Sequence, residues 1–555
     1  MPCPTGLTAT TAMPYDRFVL DRLPPRDQWP QWRDNLPPLV AGRPVNAIHS
    51  LWARAEQAGW WNRPLLRSDR EVLTYGETSA RVGKLVTVLT TTLGLRPGQR
   101  VLLRGPNSID LAIAWLAVVQ AGLISVCTMP LLRAKELGDI IDKSQPVLAL
   151  CDARLLDELQ AAKTTRPALQ RVLSWGASEP GLDSIESLMI PVQAASETPA
   201  IDPDMPDDPV ALLAFTSGTT GTPKAAVHTH RDLLAACEAW PRHVLQARPD
   251  DIVMGSPPLA FTFGLGGLLL FPLWAGASVY YPDGAYTPAR MVELMATVGC
   301  TLCYTAPTFY RQMAPLIQQH PVPTLRISVS AGEALPDATR QLWKQASGLE
   351  MLDGIGATEM FHIFISAAGA DVRPGAIGKV VPGYQARVVD EHGQEVPRGH
   401  VGRLAVIGPT GCRYLDDPRQ QNYVRDGWNY PGDTFMQDEA GYFYYQARDD
   451  DMIITAGYNV GGPEVEDSLL EHPAVAECGV VAKPDAERGM IVKAYCVLRA
   501  GYAASPDLVT QLQDHVKTRL APYKYPREIE FLSQLPRTET GKLQRFRLRQ
   551  LAHQV

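Results

Sequence analysis

The sequence lacks an excess of basic residues. Its 52 Lys and Arg residues are outnumbered by 59 Asp and Glu residues, which gives a formal net charge of -7 at pH 7. Proteins that bind nucleic acid or anionic membranes through general electrostatic attraction carry the opposite balance. We therefore expect no nucleic-acid partner and no membrane partner, and any polyanion must be bound at a local site.

Cysteine is also scarce, with nine residues scattered over 555 positions. An odd, scattered set is typical of reduced thiols, so we expect a cytoplasmic protein. Cys300 and Cys303 form a Cys-x-x-Cys pair, but no second pair follows at zinc-ribbon spacing, which favours packing in a buried strand. His228 and His230 likewise lack a third ligand at suitable spacing. Neither pair predicts a metal site.

Charge is absent altogether from residues 252–282, a stretch long enough to cross a bilayer as a helix. Pro257, Pro258 and Pro272, together with several glycines, would interrupt such a helix repeatedly. We interpret this stretch as a buried element beside an apolar pocket.

A chain of this length exceeds one compact core and predicts several domains. Between residues 72 and 211, short apolar runs alternate with amphipathic stretches, as in strand 100–104 followed by helix 109–121. Asn107 and Ser108 can cap that helix. Repeated units of this kind predict an α/β fold of parallel-type sheets covered by helices.

The pattern changes after Gly375, where short strands are separated by Gly and Pro turns. This predicts a small β-rich subdomain over about 375–448. A charged cluster, Arg448-Asp449-Asp450-Asp451, follows and is interpreted as a hinge. The predicted organisation is a large N-terminal domain, 1–448, and a small α+β C-terminal domain, 449–555.

The strongest local signal is the run Thr216-Ser217-Gly218-Thr219-Thr220-Gly221-Thr222-Pro223-Lys224, directly after an apolar strand. Its glycines let backbone amides converge on a polyanion, its hydroxyls add donors, and its lysine adds a positive charge. The run is not a Walker A loop, because Pro223 stands where Gly would precede the lysine. It predicts a phosphate-binding loop.

This run resembles the phosphate-binding signature of adenylate-forming enzymes, which include acyl-CoA synthetases, standalone adenylation domains and beetle luciferase. Four further motifs of that superfamily follow in the expected order: Ile355-Gly356-Ala357-Thr358-Glu359, Gly432-Asp433, Arg448-Asp449-Asp450 and Pro536-Arg537-Thr538-Glu539-Thr540-Gly541-Lys542. The resemblance covers nearly the whole chain. Residues 353–364 are similar to benzoate-CoA ligases, and three segments are similar to 2-aminobenzoate-CoA ligases in particular: 23–30, 256–264 and 456–464.

The resemblance implies a set of nucleotide-site residues. Lys542, Thr358 and Glu359 would be catalytic, with Lys542 bridging the substrate carboxylate and the α-phosphate and Glu359 holding Mg²⁺. Asp433 would accept the ribose hydroxyls. The implied ATP-binding residues are Thr216, Ser217, Gly218, Thr219, Thr220, Gly221, Lys224, Gly332, Glu333, Ala334, Asp353, Gly354, Ile355, Gly356, Asp433 and Arg448. Ile355 replaces a tyrosine that is usual in the family.

The resemblance also implies two arrangements of the C-terminal domain, because adenylation needs Lys542 at the phosphate whereas thioester formation needs a thiol at the acyl carbonyl. Asp450 would be the hinge residue, and Gly457 and Tyr458 would contact coenzyme A. The implied acyl pocket consists of Phe261, Phe263, Gly264, Ala331, Gly332, Gly356 and His362. Aromatic walls with facing glycines suit a planar ring better than a long alkyl chain.

The predicted function is therefore that of an ATP-dependent aryl-CoA ligase, a monomer or homodimer that forms an acyl-AMP from a 2-aminobenzoate-type or benzoate-type acid and then transfers the acyl group to coenzyme A. Standalone adenylation enzymes that load a carrier protein share these motifs, and so do CoA ligases for other small ring acids or fatty acids. An oxygenase of the luciferase type and a non-catalytic nucleotide-binding scaffold are disfavoured.

Overall fold

The computed structural model describes residues 14–32, 44–176, 184–192, 205–216, 223–284, 286–332, 334–448, 451–455, 458–485, 488–537 and 543–553. Within these residues the chain forms two large sheets that are mainly parallel, one antiparallel sheet and a separate C-terminal sheet with a hairpin. The fold class predicted from the sequence is confirmed.

The first large sheet contains six strands among the described residues. Their spatial order is Arg171–Trp175, Leu148–Asp152, Arg100–Arg104, Ile124–Thr128, Val210–Thr216 and Lys224–Thr229. All neighbours are parallel except the last pair, which forms an antiparallel hairpin. The accompanying helices are Ala47–Gln57, Tyr75–Thr87, Ile109–Gln120, Ala134–Ser144, Leu156–Lys163, Ile185–Met189 and His230–Glu238.

Both faces of this sheet are covered by helices. Leu103 packs in one hydrophobic cluster with helix Ile109–Gln120, whereas the preceding Leu102 packs in another with helix Ala134–Ser144. Successive side chains of a strand point to opposite faces, so a strand that is buried on both faces is apolar throughout.

One predicted helix cap is wrong. Ser108 caps helix Ile109–Gln120 by accepting a hydrogen bond from the amide of Leu111. The side chain of Asn107 instead donates to the carbonyl of Pro257 and accepts from the amide of Leu259. Asn107 thus joins the first sheet to the uncharged segment, because a side-chain amide can satisfy a backbone donor and acceptor together.

The second large sheet contains nine strands among the described residues. Their spatial order is Lys379–Val380, Ile363–Ser366, Met351–Gly356, Ile327–Ser330, Leu302–Thr305, Ile252–Gly255, Ser278–Tyr281, Pro64–Ser68 and Val72–Thr74. The run from Met351–Gly356 to Pro64–Ser68 is parallel, and the outer pairings are antiparallel. Its helices are Thr262–Leu265, Phe271–Ala275, Pro288–Val298, Pro307–Gln319 and Asp337–Ser347.

The uncharged stretch 252–282 lies within this sheet region. It forms a strand, a short interrupted helical segment and a second strand, and it is largely buried. Among the helices of the described residues, none has the length and apolar character needed to cross a membrane. Cys303 lies on the neighbouring strand Leu302–Thr305, and both Cys300 and Cys303 are buried, as packing residues are.

The antiparallel sheet follows the second large sheet in the chain. Its strands among the described residues are Gln385–Val389, Val401–Ile407, Val424–Arg425, Trp428–Asn429, Asp433–Gln437 and Phe443–Arg448, with helix Gln420–Tyr423. Short 3₁₀ and π segments occupy Leu20–Arg22, Arg26–Gln28, Val88–Thr92, Ala153–Leu155, Pro241–Leu245, Gly266–Leu270, Thr358–Met360 and Gly369–Asp371.

The C-terminal residues form their own small hydrophobic core. Its strands among the described residues are Ile453–Thr455, Tyr458–Val460, Val475–Asp485, Gly489–Leu498 and Glu528–Phe531, and its helices are Gly462–Leu470, Pro506–Lys517 and Arg545–His553. Val465, Val480, Val492 and Leu512 pack together in this core. The domain division at residue 448 and the movement of the C-terminal domain stay predictions.

Candidate active site

The predicted phosphate loop joins the two strands of a hairpin. Thr216 ends one strand and Lys224 begins the next, and the two are cross-strand partners. Ser217, Gly218, Thr219, Thr220 and Gly221 lie outside the described residues. The hairpin fixes both ends of the loop, and it therefore fixes the backbone position of the lysine.

A chain of hydrogen bonds connects Lys224 to Glu359 through Tyr414. The ammonium Nζ of Lys224 donates to the hydroxyl Oη of Tyr414 at 3.4 Å, and that hydroxyl donates to Oε1 of Glu359 at 2.5 Å. Tyr414 and Glu359 are buried. Burial, followed by the nearby carboxylate of Glu359, raises the pKa of Tyr414 well above its ordinary value, so the hydroxyl keeps its proton.

Glu359 lies in a tight turn after strand Met351–Gly356. The ring Nε2 of His228 lies 2.7 Å from the carbonyl of Thr358, and its ring packs edge-on against Phe361 at 5.4 Å. Phe361 has a φ of +69°, a left-handed conformation that is costly for a bulky side chain. The neighbouring packing therefore holds this turn in a conformation that the local sequence disfavours.

His228 lies beside a buried ion pair. Its Nδ1 lies 3.7 Å from the carboxylate of Asp232, which pairs with Arg413. Burial by itself would raise the pKa of Asp232, but Arg413 and His228 together hold it below its usual value. No sequence motif assigned a role to His228, and the structure shows that it contacts the turn that carries Thr358 and Glu359.

Asp433 and Arg448 form a second group of interacting polar side chains. They are cross-strand partners, and Nη1 of Arg448 lies 3.1 Å from Oδ1 of Asp433. The aspartate is buried, whereas the arginine is half exposed. Gly432 has a φ of +83°, which permits the sharp turn before the aspartate. A carboxylate held in this way can accept hydrogen bonds from vicinal hydroxyls.

The other described residues that were predicted to bind the nucleotide lie at the carboxyl ends of two adjacent parallel strands. Ser330 is the partner of Asp353, so the segment from Ala331 to Ala334 follows one strand where Gly354, Ile355 and Gly356 end the other. Ligands of α/β sheets bind at this edge. Burial raises the pKa of Asp353 to about 7. Glu333 lies outside the described residues.

Five aromatic side chains, here called the aromatic cluster, include two of the predicted acyl residues, Phe263 and His362. His362 lies 4.6 Å from Phe271, 5.2 Å from Trp240 and 5.6 Å from Phe263, measured between ring centroids. Tyr304 completes the cluster at 5.8 Å from Phe263. Trp240, Phe271 and Tyr304 were not predicted from the sequence, because they come from three separate segments and no local motif marks them.

Glycines bring the helical segment 262–275 against this cluster. A Cβ at Gly266 would lie 2.7 Å from Cδ2 of His362, and one at Gly267 would lie 2.6 Å from Cε1 of Tyr304. A Cβ at Gly356 would lie 2.6 Å from the carbonyl oxygen of His362. At Gly264 the obstacle is the carbonyl of Pro258, at 2.1 Å. Only glycine fits these positions without displacing the wall of the cluster.

The cluster contains buried polar atoms without partners. Within the described part of the chain, neither ring nitrogen of His362 has a hydrogen-bond partner, nor do Oη of Tyr304 and Nε1 of Trp240. Burial lowers the pKa of His362 to about 3, so its imidazole is neutral near pH 7. A neutral imidazole offers one donor and one acceptor.

The residues around Glu359 fit a Mg²⁺ ion. The described residues contain no group of three or more His, Cys, Asp or Glu side chains able to hold a metal. Mg²⁺ needs no such group, because it is commonly held by one or two carboxylates together with substrate phosphates and water. Glu359 offers a buried carboxylate whose Oε1 is bonded to Tyr414.

Three C-terminal predictions lie outside the described residues: Asp450, Gly457 and Lys542. Tyr458 begins the strand Tyr458–Val460. Asp451, next to the predicted hinge residue, pairs with Arg549 and lies 3.9 Å from Arg545. Both arginines belong to helix Arg545–His553, which begins three residues after Lys542.

Comparison with known proteins identifies two family matches. The family of AMP-binding enzymes matches residues 51–413, and the AMP-binding enzyme C-terminal domain matches residues 464–542. The chain is 36% identical to a benzoate–CoA ligase of Thauera aromatica over 93% of this chain and 98% of that protein. It is 32% identical to a 3-hydroxybenzoate–CoA ligase of Aromatoleum sp. (strain CIB), over 91% and 97% respectively.

Among solved structures, the chain is similar to an anthranilate CoA ligase in complex with anthranoyl-AMP. The TM-score is 0.86 and the sequence identity is 32%, over 93% of this chain and 98% of that one. The likeness therefore spans both the large sheets and the C-terminal unit.

Proposed function

The chain belongs to the family of AMP-binding enzymes and is an AMP-forming acid–CoA ligase, and we propose that its substrate is an aromatic carboxylate of the benzoate or 2-aminobenzoate type. ATP, coenzyme A and Mg²⁺ are the further ligands that this reaction requires.

One observation carries the proposal. Glu359 and His362 are three residues apart on one turn, yet Glu359 belongs to the Lys224–Tyr414–Glu359 chain and His362 belongs to the aromatic cluster. The proposed metal-binding group and the proposed ring-binding surface therefore share the same short segment. Such a segment can fix a carboxylate beside a phosphate, since positioning of two reactants supplies much of the rate enhancement.

The first step joins the carboxylate to the nucleotide. A carboxylate oxygen attacks the α-phosphorus of ATP, a new C–O–P bond forms, and the bond to pyrophosphate breaks. Lys224 and Lys542 are proposed to stabilise the phosphate oxygens, and Glu359 to hold Mg²⁺, which neutralises phosphate charge when it is bound. Asp433 and Arg448 are proposed to hold the ribose.

The second step transfers the acyl group. The thiol of coenzyme A attacks the acyl carbonyl, a C–S bond forms, the C–O bond to AMP breaks, and the thiol proton is released. We propose that the C-terminal domain turns about Asp450 between the two steps and that Gly457 and Tyr458 then contact coenzyme A. Turnover as a monomer or homodimer in the cytoplasm stays a prediction.

The unpartnered polar atoms of the aromatic cluster favour a substrate whose ring carries a polar substituent. A buried donor or acceptor without a partner costs about 1–3 kcal/mol, and an amino or hydroxyl group on a bound ring could recover part of that cost. His362 and Tyr304 supply such atoms beside Phe263. We therefore favour 2-aminobenzoate over unsubstituted benzoate.

The direct test measures ATP-to-AMP conversion in the presence of coenzyme A with benzoate, 2-aminobenzoate, hydroxybenzoates, cyclohexanecarboxylate and a medium-chain fatty acid. We expect the aryl acids to give the highest kcat/KM. A clear preference for the fatty acid would overturn the assignment of the ring pocket. Faster transfer to a holo carrier protein than to coenzyme A would overturn the second step.

The variant Lys542→Ala separates the two steps. We expect pyrophosphate release to fall at least about a hundredfold, as when one charge-stabilising group is removed from a transition state. Thioester formation from supplied acyl-adenylate should change much less. Equal loss in both half-reactions would contradict a role confined to adenylation.

The substituent preference is tested with Tyr304→Phe, which removes one hydroxyl. We expect the ratio of kcat/KM for 2-aminobenzoate to that for benzoate to fall by about threefold to tenfold, the worth of one neutral hydrogen bond. Tyr423→Phe is the matched control, because Tyr423 also has a buried hydroxyl that lacks a partner among the described residues but lies outside the aromatic cluster. An unchanged ratio would remove Tyr304 from the substituent site.

A further inference from the structure

Tyr414 is fixed by its own backbone and not only by its ring. Its amide donates to Oε1 of Gln420 at 2.8 Å, and Nε2 of Gln420 donates to the carbonyl of Cys412 at 3.1 Å. The residue also forms an isolated antiparallel bridge with Ala226, two positions after Lys224. The hydroxyl therefore occupies a defined point beside the strand that begins with the lysine.

The hydroxyl separates two opposite charges. Among the described residues, Lys224 and Glu359 both hydrogen-bond to the hydroxyl of Tyr414, and no direct ion pair joins the ammonium to the carboxylate. A direct pair would engage the lysine that the phosphates need and the carboxylate that the metal needs. A neutral hydroxyl between them accepts a hydrogen bond from the ammonium and donates one to the carboxylate.

We propose that Tyr414 is a positioning residue for the magnesium–ATP complex: its hydroxyl holds Lys224 and Glu359 apart and aimed at the triphosphate and its cation. This inference rests on the proposed use of ATP and Mg²⁺, and it assigns a role to a residue outside the phosphate loop and the Thr358–Glu359 motif. Tyr414 touches neither the acid nor coenzyme A in this scheme, so its effect is confined to nucleotide and metal binding.

The test is Tyr414→Phe, which removes the hydroxyl and retains the ring. Equilibrium titration of ATP in the presence and absence of Mg²⁺ should show an about tenfold or larger loss of affinity for the magnesium complex, since hydrogen bonds to charged groups are the stronger kind. The Mg²⁺ concentration for half-maximal pyrophosphate release should rise in parallel. Thioester formation from supplied acyl-adenylate should stay within about twofold of wild type, because that step does not use the triphosphate.

Tyr423→Phe is the matched control. Its ring lies 5.7 Å from that of Tyr414, and its buried hydroxyl has no partner among the described residues. If Tyr414→Phe and Tyr423→Phe gave the same magnesium–ATP affinity, the proposal would be overturned. If the wild type itself bound no ATP, the proposed function would fail and this inference with it.

A double-mutant cycle distinguishes positioning from general damage. In a Glu359→Gln background, Tyr414→Phe should cause little further loss of magnesium–ATP affinity, because the carboxylate that the Tyr414 hydroxyl positions is already absent. Strictly additive losses would contradict the inference. Should Tyr414→Phe fail to fold, the cycle between Lys224→Met and Glu359→Gln replaces it. Coupling between these two residues, which make no direct pair, is then expected, and additive losses would overturn the proposal.

Discussion

The proposed nucleotide side and the proposed acyl side of the site differ in whether their polar groups have hydrogen-bond or ion-pair partners. On the nucleotide side, Lys224 and Glu359 are both bonded to Tyr414, and Asp433 is paired with Arg448. On the acyl side, the polar atoms of the aromatic cluster are buried without partners among the described residues.

This difference distinguishes the part of the site that serves a common reaction from the part that selects the substrate. A site whose charged groups are already oriented can serve the same nucleotide reaction in many proteins, since preorganised groups need no rearrangement at the transition state. A site with unsatisfied polar atoms gains from whichever ligand completes it, and a few side chains decide which ligand that is.

The largest effect is expected from Glu359→Gln, which removes a charge from the nucleotide side. We expect the rate of adenylation to fall by about a hundredfold to a thousandfold, because the neutral amide of the new glutamine carries no charge to offset that of Mg²⁺ and binds the ion weakly. Pyrophosphate release at varied Mg²⁺ measures this loss. Thioester formation from supplied acyl-adenylate is the internal control, and loss of both activities together would show that the turn itself had collapsed.

A smaller effect is expected from Gly266→Ala on the acyl side. The added Cβ would press on His362 and Phe271, and overpacking of this kind costs about 1–3 kcal/mol. The kcat/KM for the aryl acid should fall by about tenfold while the KM for ATP stays unchanged.

Gly479→Ala is the matched control for that variant. Its Cβ would meet Leu548 at 2.6 Å, a similar clash in the C-terminal unit. If both variants changed kcat/KM equally, the loss in Gly266→Ala would reflect general destabilisation and the contrast between the two sides would be broken.

Asp353 tests the comparison from within the proposed nucleotide side, because burial raises the pKa of its carboxyl. In the folded protein it keeps its proton up to about pH 7, whereas its ordinary pKa is 3.8. The free energy of unfolding therefore falls as pH rises between about 4 and 7. Asp353→Asn abolishes this cost.

Thermal unfolding of Asp353→Asn and wild type should show a melting-temperature difference that grows in favour of the variant from pH 4 to pH 7 and then stays level. Asp371→Asn, at an exposed carboxyl, is the control and should show no such trend. A difference that stayed level from pH 4 to pH 7 would mean that the carboxyl of Asp353 is already ionised in the folded protein over this range.

The smallest effect is expected from Arg448→Ala. The guanidinium is half exposed, and exposed ion pairs contribute about 0–1 kcal/mol. The KM for ATP should rise by less than about fivefold, and Arg425→Ala on the same sheet should leave it unchanged. A loss as large as that of Glu359→Gln would mean that Arg448 acts on the phosphates and not through Asp433.

The local features of the fold were predicted well from the sequence. Strand Arg100–Arg104 and the helix after it follow directly from apolar periodicity and the Ser108 cap, and the motif order carries the family assignment. The cap assigned to Asn107 was wrong because its partners, Pro257 and Leu259, are about 150 positions away.

The sequence by itself determined the motifs whose residues are contiguous in the chain. These are the loop that ends at Lys224, the Thr358–Glu359 pair and the C-terminal lysine motif. The tertiary structure alone decided which distant side chains complete those motifs. Tyr414 meets Lys224 and Glu359, and Trp240 meets both His362 and Tyr304, only because crossovers between parallel strands bring separate segments to one edge of the sheets. Local periodicity records which face of an element is buried, but it carries no information about the partner that buries it.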